Sequence, residues 1–271
     1  MKPRLSLYIG AGLVGLIVTT AILALFWTPY PPTRIDILHK LARPSAAHWL
    51  GTDPFGRDVL SMIMVGTHTS LLVSLLAVSI GAGIGIPLGA LASSCGGWVD
   101  ALVMRMADLA FAFPALLTAV MITALAGPGA TNAMLAIGLF NIPVFARVTR
   151  GAALSVQERD FVLAARATGR GAFGVMARHV LPNISGVLLV QITIQFALGI
   201  LAEAGLSYVG LGTQPPQPSW GRMLNDAQTF IFRAPMLAVF PGLAITVAVL
   251  GLNLLGDGLR DRLDPRLMAR R

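Results

Sequence analysis

Residues able to do chemistry are few in this chain, and their spacing argues against catalysis. The four histidines, His39, His48, His68 and His179, include no i, i+4 pair of the kind that holds a metal on one helix face. Cys95 is the single cysteine, which rules out an internal disulfide and a cysteine-based metal cluster; it reads as a buried thiol without a chemical role. Around Ser207 the sequence is GLSYVG, and Val209 stands where a nucleophile elbow needs glycine. GAGIGIPLG (81–89) lacks the third glycine of a dinucleotide fingerprint and follows no strand. No G-x-x-x-x-G-K-[ST] occurs, and neither lysine, Lys2 or Lys40, follows a glycine. ATP phosphates therefore have no P-loop here, and any ATPase must be a separate polypeptide. The expectation is a protein that is not an enzyme, with no metal site and no cofactor of its own.

Other polar groups stand inside apolar stretches, where they are functional candidates by default. Gln191 and Gln195 lie four apart, Glu203 lies near the end of the same stretch, and Asn141 and Asn253 are isolated. Two readings stay open for the amides: hydrogen bonding between helices, or, for Gln191 and Gln195, the lining of a wet translocation path. Arg105 and Asp108, three apart, read as an interfacial ion pair.

The elements that position these groups follow from composition. The chain has 271 residues, 55% hydrophobic and 12% charged, with a mean hydropathy of +0.76; soluble chains carry about 25% charged residues. A hydrocarbon core of roughly 30 Å takes about 20 apolar residues per helix. Six spans can be drawn, at 6–27, 69–92, 101–125, 131–147, 184–204 and 236–256, giving an all-α polytopic membrane protein. The first apolar run is longer than a signal-peptide h-region and lacks a small-x-small cleavage site, so it reads as an uncleaved span, closed by the interfacial aromatics of FWTPYPP. Gly81, Gly85 and Gly89 fall on one face of the second span, a spacing that lets another helix approach closely.

Net charge is +8, and its distribution gives the orientation. With the N-terminus inside, Lys2, Arg4, Arg105, Arg147, Arg150, Arg159, Arg166, Arg170, Arg178 and the five arginines from Arg260 to Arg271 are cytoplasmic. These make 14 of the 20 basic residues, as the positive-inside rule expects. Both termini are then cytoplasmic. Residues 1–68 form a first span plus an extracytoplasmic connector, 69–256 a five-helix core with a cytoplasmic loop at 148–183, and 257–271 a cytoplasmic tail. In the connector, Asp53 and Pro54 read as N-cap and first residue of a helix. In the other long outer segment, Pro215, Pro216 and Pro218 impose a stiff extended turn.

The cytoplasmic loop is unusually basic. Ser155 and Glu158 form an S-x-x-E capping box, which starts a helix ending at Gly169; a second short helix follows Gly171 and ends before Pro182. Ala164, Ala165 and Ala167 keep the first helix slim, and Arg159, Arg166 and Arg170 give it charged edges. A slim helix on a short tether suits insertion into a partner's groove. A DNA-reading helix pair is excluded because about 35 residues pinned between two spans leave no room for the supporting helix.

This loop resembles the EAA loop of ABC-importer permeases: EAA, three residues, Gly, nine residues, then I-x-L-P. Ala164, Ala165, Gly169, Leu181 and Pro182 match, whereas Leu163 replaces Glu and His179 replaces Ile. WLGTDPFGRDVLS (49–61), MRMADLAFAFPALL (104–117), GLSYVGLGTQPPQPSWGRML (205–224) and GDGLRDRLDPRL (256–267) are similar to the second, C-type permease subunit of dipeptide, oligopeptide and nickel importers, with a MetI-like transmembrane domain. The resemblance implies a type I importer permease in a bacterial inner membrane. Its partners would be a homologous sister permease, two cytoplasmic ATPases carrying ATP and Mg, an extracytoplasmic substrate-binding protein and membrane lipid, with no nucleic acid. It implies that Ala164, Ala165, Arg166, Gly169, Leu181 and Pro182 engage an ATPase. Gly51, Asp53, Gly56, Arg57, Asp58, Pro215, Pro216, Trp220 and Gly221 carry the family motifs of the outer face. Short peptides are the expected cargo. Nickel or a metal chelate is the alternative, mildly favoured by the short N-terminal region. A passive channel or ion-coupled carrier is the alternative from another class, disfavoured because the carboxylates lie near span ends.

Overall fold

In the computed structural model, residues 3–263 are described, and among them the chain is helical. Met1, Lys2 and residues 264–271, including Arg266, Arg270 and Arg271 of the charge argument, lie outside the described residues. Helix α1 (Pro3–Phe26) leads into a connector with one 3₁₀ turn at Ile37–His39, then α2 (Val59–Cys95), α3 (Gly97–Phe111), α4 (Ala115–Ala126) and α5 (Ala130–Gln157). The basic loop holds α6 (Asp160–Ala167) and α7 (Ala172–Val175). A π turn (Met176–Val180) then feeds α8 (Leu181–Tyr208), and α9 (Trp220–Ala227) and α10 (Met236–Leu263) complete the chain. Five stretches are long and apolar enough to cross a membrane, and the α3–α4 pair, bent by 84°, supplies a sixth if counted as one span.

Glycines set the helix spacing. A Cβ on Gly81 would collide with Asn141, on Gly85 with the Ile142 carbonyl, and on Gly89 with the Ala146 carbonyl, so the predicted small face is where α2 meets α5. Likewise Gly10 of α1 lies against Leu254 and Leu255 of α10, and Gly251 and Gly258 of α10 lie against Leu13 and Leu7. With little hydrophobic drive between helices in lipid, such close backbone contact is the main packing gain. Many apolar side chains on the outer faces of the bundle, such as Leu72, Leu75, Leu125 and Leu243, remain exposed, as a bundle solvated by hydrocarbon requires.

Several sequence expectations are corrected. The third span is not continuous: Pro114 removes a donor and biases Phe113 away from helical geometry, and α3 and α4 diverge there. The second span begins ten residues earlier than expected, so the boundary at 68 falls inside α2. At about 1.5 Å per residue, its 37 residues run well beyond a 30 Å core. Ser155 and Glu158 do not form a cap. Helix α5 continues to Gln157 because Ala153 and Val156 are buried in the cluster under the loop; Ser155 Oγ donates to the Ala152 carbonyl, and Arg159 precedes α6 without a side-chain cap.

Nor does the second loop helix stop before Pro182. The Leu181 amide reaches back to the Met176 carbonyl, and this wider turn carries the helix past a proline that has no amide to give. Asp53 does not cap α2. It accepts from the Phe55 and Arg57 amides, both at 2.8 Å, and Asp58 is the cap, accepting from the Ser61 amide at 2.8 Å. Asp108 pairs with Arg147 of α5, whose guanidinium lies over the Phe111 ring, while Arg105 stays exposed. Cys95 is exposed, because it closes α2 immediately before the turn at Gly96.

Candidate functional site

The chain alternates direction, so residues 158–180 gather at one end of the bundle and residues 27–58 and 209–235 at the other. The basic-loop end presents a small lever. Of the residues in α6, Val162 alone is buried, and it packs with Ala153, Val156, Val175, Met176, Val180 and Ile184. Ala164, Arg166 and Gly169 are exposed, Ala165 and Leu181 are half-buried, and Pro182 is exposed beyond the π turn. Phe161, Leu163 and Phe173 add exposed apolar surface to a face rich in arginine. Gly169 ends α6 with φ +82°, and its amide bonds the Arg166 carbonyl at 2.9 Å. A Cβ built there meets nothing within 4 Å. Arg166 donates to Gln157 at 3.1 Å, and Arg170 lies 3.1 Å from His179 Nε2. The structure thus brings all six predicted residues to one end: Ala164, Ala165 and Arg166 on α6, Gly169 just after it, and Leu181 and Pro182 at the start of α8.

The opposite end is built from the family motifs. Gly51 and Gly56 have φ of +78° and +77°, and a Cβ on either would strike backbone, at Ala42 and Asp36 respectively. Asp53 is buried and pairs with Arg57 at 2.6 Å, and Arg57 also reaches Asp226 of α9 at 3.7 Å. Asp58 accepts from His48 Nδ1 at 2.9 Å and from Ser61 Oγ at 2.8 Å, and the Tyr30 ring lies 4.6 Å from that of His48. His39 donates to Asp36, and this hydrogen bond holds the Asp36 carboxyl below its usual value of 3.8. Pro215 and Pro216, joined by a cis peptide bond, are exposed, whereas Trp220 and Gly221 are buried at the root of α9. Gly221 rests directly on the Ala204 backbone.

Between the two ends, Gln195 is buried and Gln191 half-buried on α8. Asn141 and Thr149 of α5 are buried with the Asn141 amide nitrogen and Thr149 hydroxyl unpaired. Sequence reasoning missed the partners of Glu203. That carboxylate is 0% exposed and accepts from Ser70 at 2.8 Å and Ser207 at 2.7 Å. The i, i+4 spacing of Glu203 and Ser207 was a legible signal; Ser70, 133 residues away, was not. No group of three or more His, Cys, Asp or Glu able to hold a metal occurs among the described residues.

Comparison with known proteins decides the family. The profile of the family described as "Binding-protein-dependent transport system inner membrane component" matches residues 85–269. The chain belongs to that family. It is 41% identical over 266 residues to the glutathione transport system permease protein GsiD of Pectobacterium atrosepticum, covering 97% of this chain and 88% of that one. It is 42% identical over 260 residues to the dipeptide transport system permease protein DppC of Alkalihalophilus pseudofirmus, covering 94% and 86%. Identity to the Escherichia coli GsiD is 43% over 255 residues, covering 94% and 84%. The matched lengths span every element from α2 to α10, so both ends of the permease described above fall inside the shared region.

Proposed function

We propose that this permease is the membrane subunit of an ABC importer for short peptides, worked from the cytoplasm by separate ATPases through α6. One observation carries the coupling role: a slim, exposed helix buries only Val162 fully, with Ala165 packed beside it, and ends at a glycine with open space around its Cβ position. A helix that stood there for the bundle's own stability would bury more than one residue. Relatives that are glutathione and dipeptide permeases support the cargo class.

In the cycle that follows from this reading, ATP and Mg reside on the partner ATPases, whose closure draws the α6 helices of this chain and of a homologous sister permease together. The motion rocks the two bundles and exposes the path to the opposite end. There the connector and the α8–α9 loop receive an extracytoplasmic binding protein with its peptide. Arginines on the α6 face keep it on the cytoplasmic side, with both termini. Gln191 and Gln195 are candidates for the path lining, since neutral amides offer hydrogen bonds to peptide groups without trapping a charge.

Gly169→Trp tests the coupling role. A Cβ there has open space around it, so beyond the left-handed strain of about 1–2 kcal/mol the added bulk is directed at the face offered to a partner. The expected result is a folded permease that no longer co-purifies with its ATPases; undiminished co-purification refutes the assignment. Uptake of labelled dipeptide, glutathione and nickel by proteoliposomes holding the whole transporter separates the cargo readings. Uptake that continues without ATP would instead favour a channel or carrier.

A further inference from the structure

A fully buried glutamate, Glu203, stands where α2, α8 and the root of α9 meet, with no ion-pair partner among the described residues. The Trp220 amide, at the start of α9, donates to Ser70 Oγ at 3.3 Å, and Ser70 passes its own proton to Glu203 Oε2 at 2.8 Å. The Thr213 amide donates to Ser207 Oγ at 2.9 Å, and Ser207 passes its proton to Glu203 Oε1 at 2.7 Å. Thr213 Oγ1 adds a third donor to Oε1 at 3.3 Å. Each serine hydroxyl accepts an amide proton on one lone pair and keeps its own proton and second lone pair for the Glu203 carboxyl. Both carboxyl oxygens of Glu203 are thereby tied to a serine, and through it to the backbone of the arm.

Ser70, Glu203, Ser207, Thr213, Ser219 and Trp220 are all at most 2% exposed, and among the described residues no Lys, Arg or His lies within ion-pairing distance of Glu203. Close packing seals the junction: Gly66 leaves room for the Trp220 indole, and Gly212 for the Ser207 hydroxyl. Beyond this root the chain is open, with Pro215, Pro216 and Gln217 exposed at the tip. The 209–219 segment is thus a short arm, free at its tip and bolted at both feet to one acceptor.

We propose that Glu203 is a positioning residue that clamps both feet of this arm to α2 and α8, so that docking of the binding protein on the arm moves the spans with it. The proposal rests on the reading that this end of the permease receives the binding protein. It adds the residue that makes docking mechanically effective.

The test uses the assembled transporter in proteoliposomes with its peptide-loaded binding protein. Glu203→Gln keeps volume but replaces one carboxyl oxygen by an amide NH2, which can only donate, so one serine loses its acceptor on this side chain. The expected result is at least a fivefold loss of maximal binding-protein-stimulated ATPase activity. The half-stimulating concentration and the unstimulated rate should stay within twofold of the parent, and amide exchange at Thr213 and Trp220 should rise at least tenfold. A residue important only for folding would lower stimulated and unstimulated rates together; that result overturns the proposal, as does full stimulation with unchanged exchange.

Should Glu203→Gln fail to assemble, Thr213→Val removes one donor of nearly equal shape and should show the same pattern at about two- to threefold; a proportional loss of both rates again overturns the idea. Absence of any stimulation in the parent transporter would refute the docking reading itself, independently of Glu203.

Discussion

Val162→Ala removes two methyl groups from the most deeply buried point of α6. Val162 is 0% exposed and packs into the cluster formed by the end of α5, α7, the π turn and the start of α8. At roughly 0.8 kcal/mol per buried methylene-sized group, transfer alone accounts for about 1.6 kcal/mol, and the cavity left behind raises this to about 2–3 kcal/mol. The loss falls mainly on local opening of α6, which has no other fully buried residue, whereas α5 and α8 are held along their length by other contacts. A change of 2 kcal/mol multiplies the open population by about 30. Amides of residues 163–168 in lipid nanodiscs should therefore exchange about 30-fold faster, while those in the middle of α5 and α8 should not change. ATPase-driven uptake should fall with this loosening, although no surface group has been altered. Unchanged exchange at 163–168 would refute this account of how α6 is held. Faster exchange with normal uptake would refute its role as a stiff lever.

Further outcomes follow from the same contacts. Gly85→Leu places side-chain atoms on the α5 backbone and should destabilise the bundle by about 1–3 kcal/mol or more in thermal unfolding, whereas Gly83→Leu, facing open space on the same helix, should leave it unchanged. Equal effects of the two would dismiss the glycine face as the α2–α5 contact. Asp58→Ala removes the α2 cap and strands His48 and the Ser61 hydroxyl, a loss of about 2–4 kcal/mol at the connector. Limited proteolysis should then cut residues 28–57 faster, and Asp58→Asn, which still caps, should restore most of the protection.

Much of the architecture was legible in the chain because lipid imposes simple rules. Apolar length marks α1, α2, α5, α8 and α10, and glycines four apart mark the face that meets another helix. Motif spacing placed Ala164 and Gly169 on exposed surface at the basic-loop end, with Ala165 half-buried beneath them. Local capping was misread for a consistent reason. Ser155–Glu158 and Asp53–Pro54 are valid caps in isolation, but burial of Ala153 and Val156 extends α5 through the first. Hydrogen bonds from Phe55, Arg57 and the Arg57 side chain draw Asp53 into its own turn and leave Asp58 to cap α2.

The sequence by itself determined that this is a helical membrane protein with no P-loop motif in these 271 residues, with a slim basic loop helix and a small-residue helix contact. Those properties depend on composition and on spacings of three or four residues. Only the tertiary structure decided that Val162 is the one fully buried residue of the loop helix, that the third span breaks at Pro114, and that Asp108 pairs with Arg147. Only it brought Ser70 to Glu203, across 133 residues. Long-range partners depend on which helices become neighbours, and in a bilayer that choice is made by close backbone packing at glycines, not by the local pattern of any one helix.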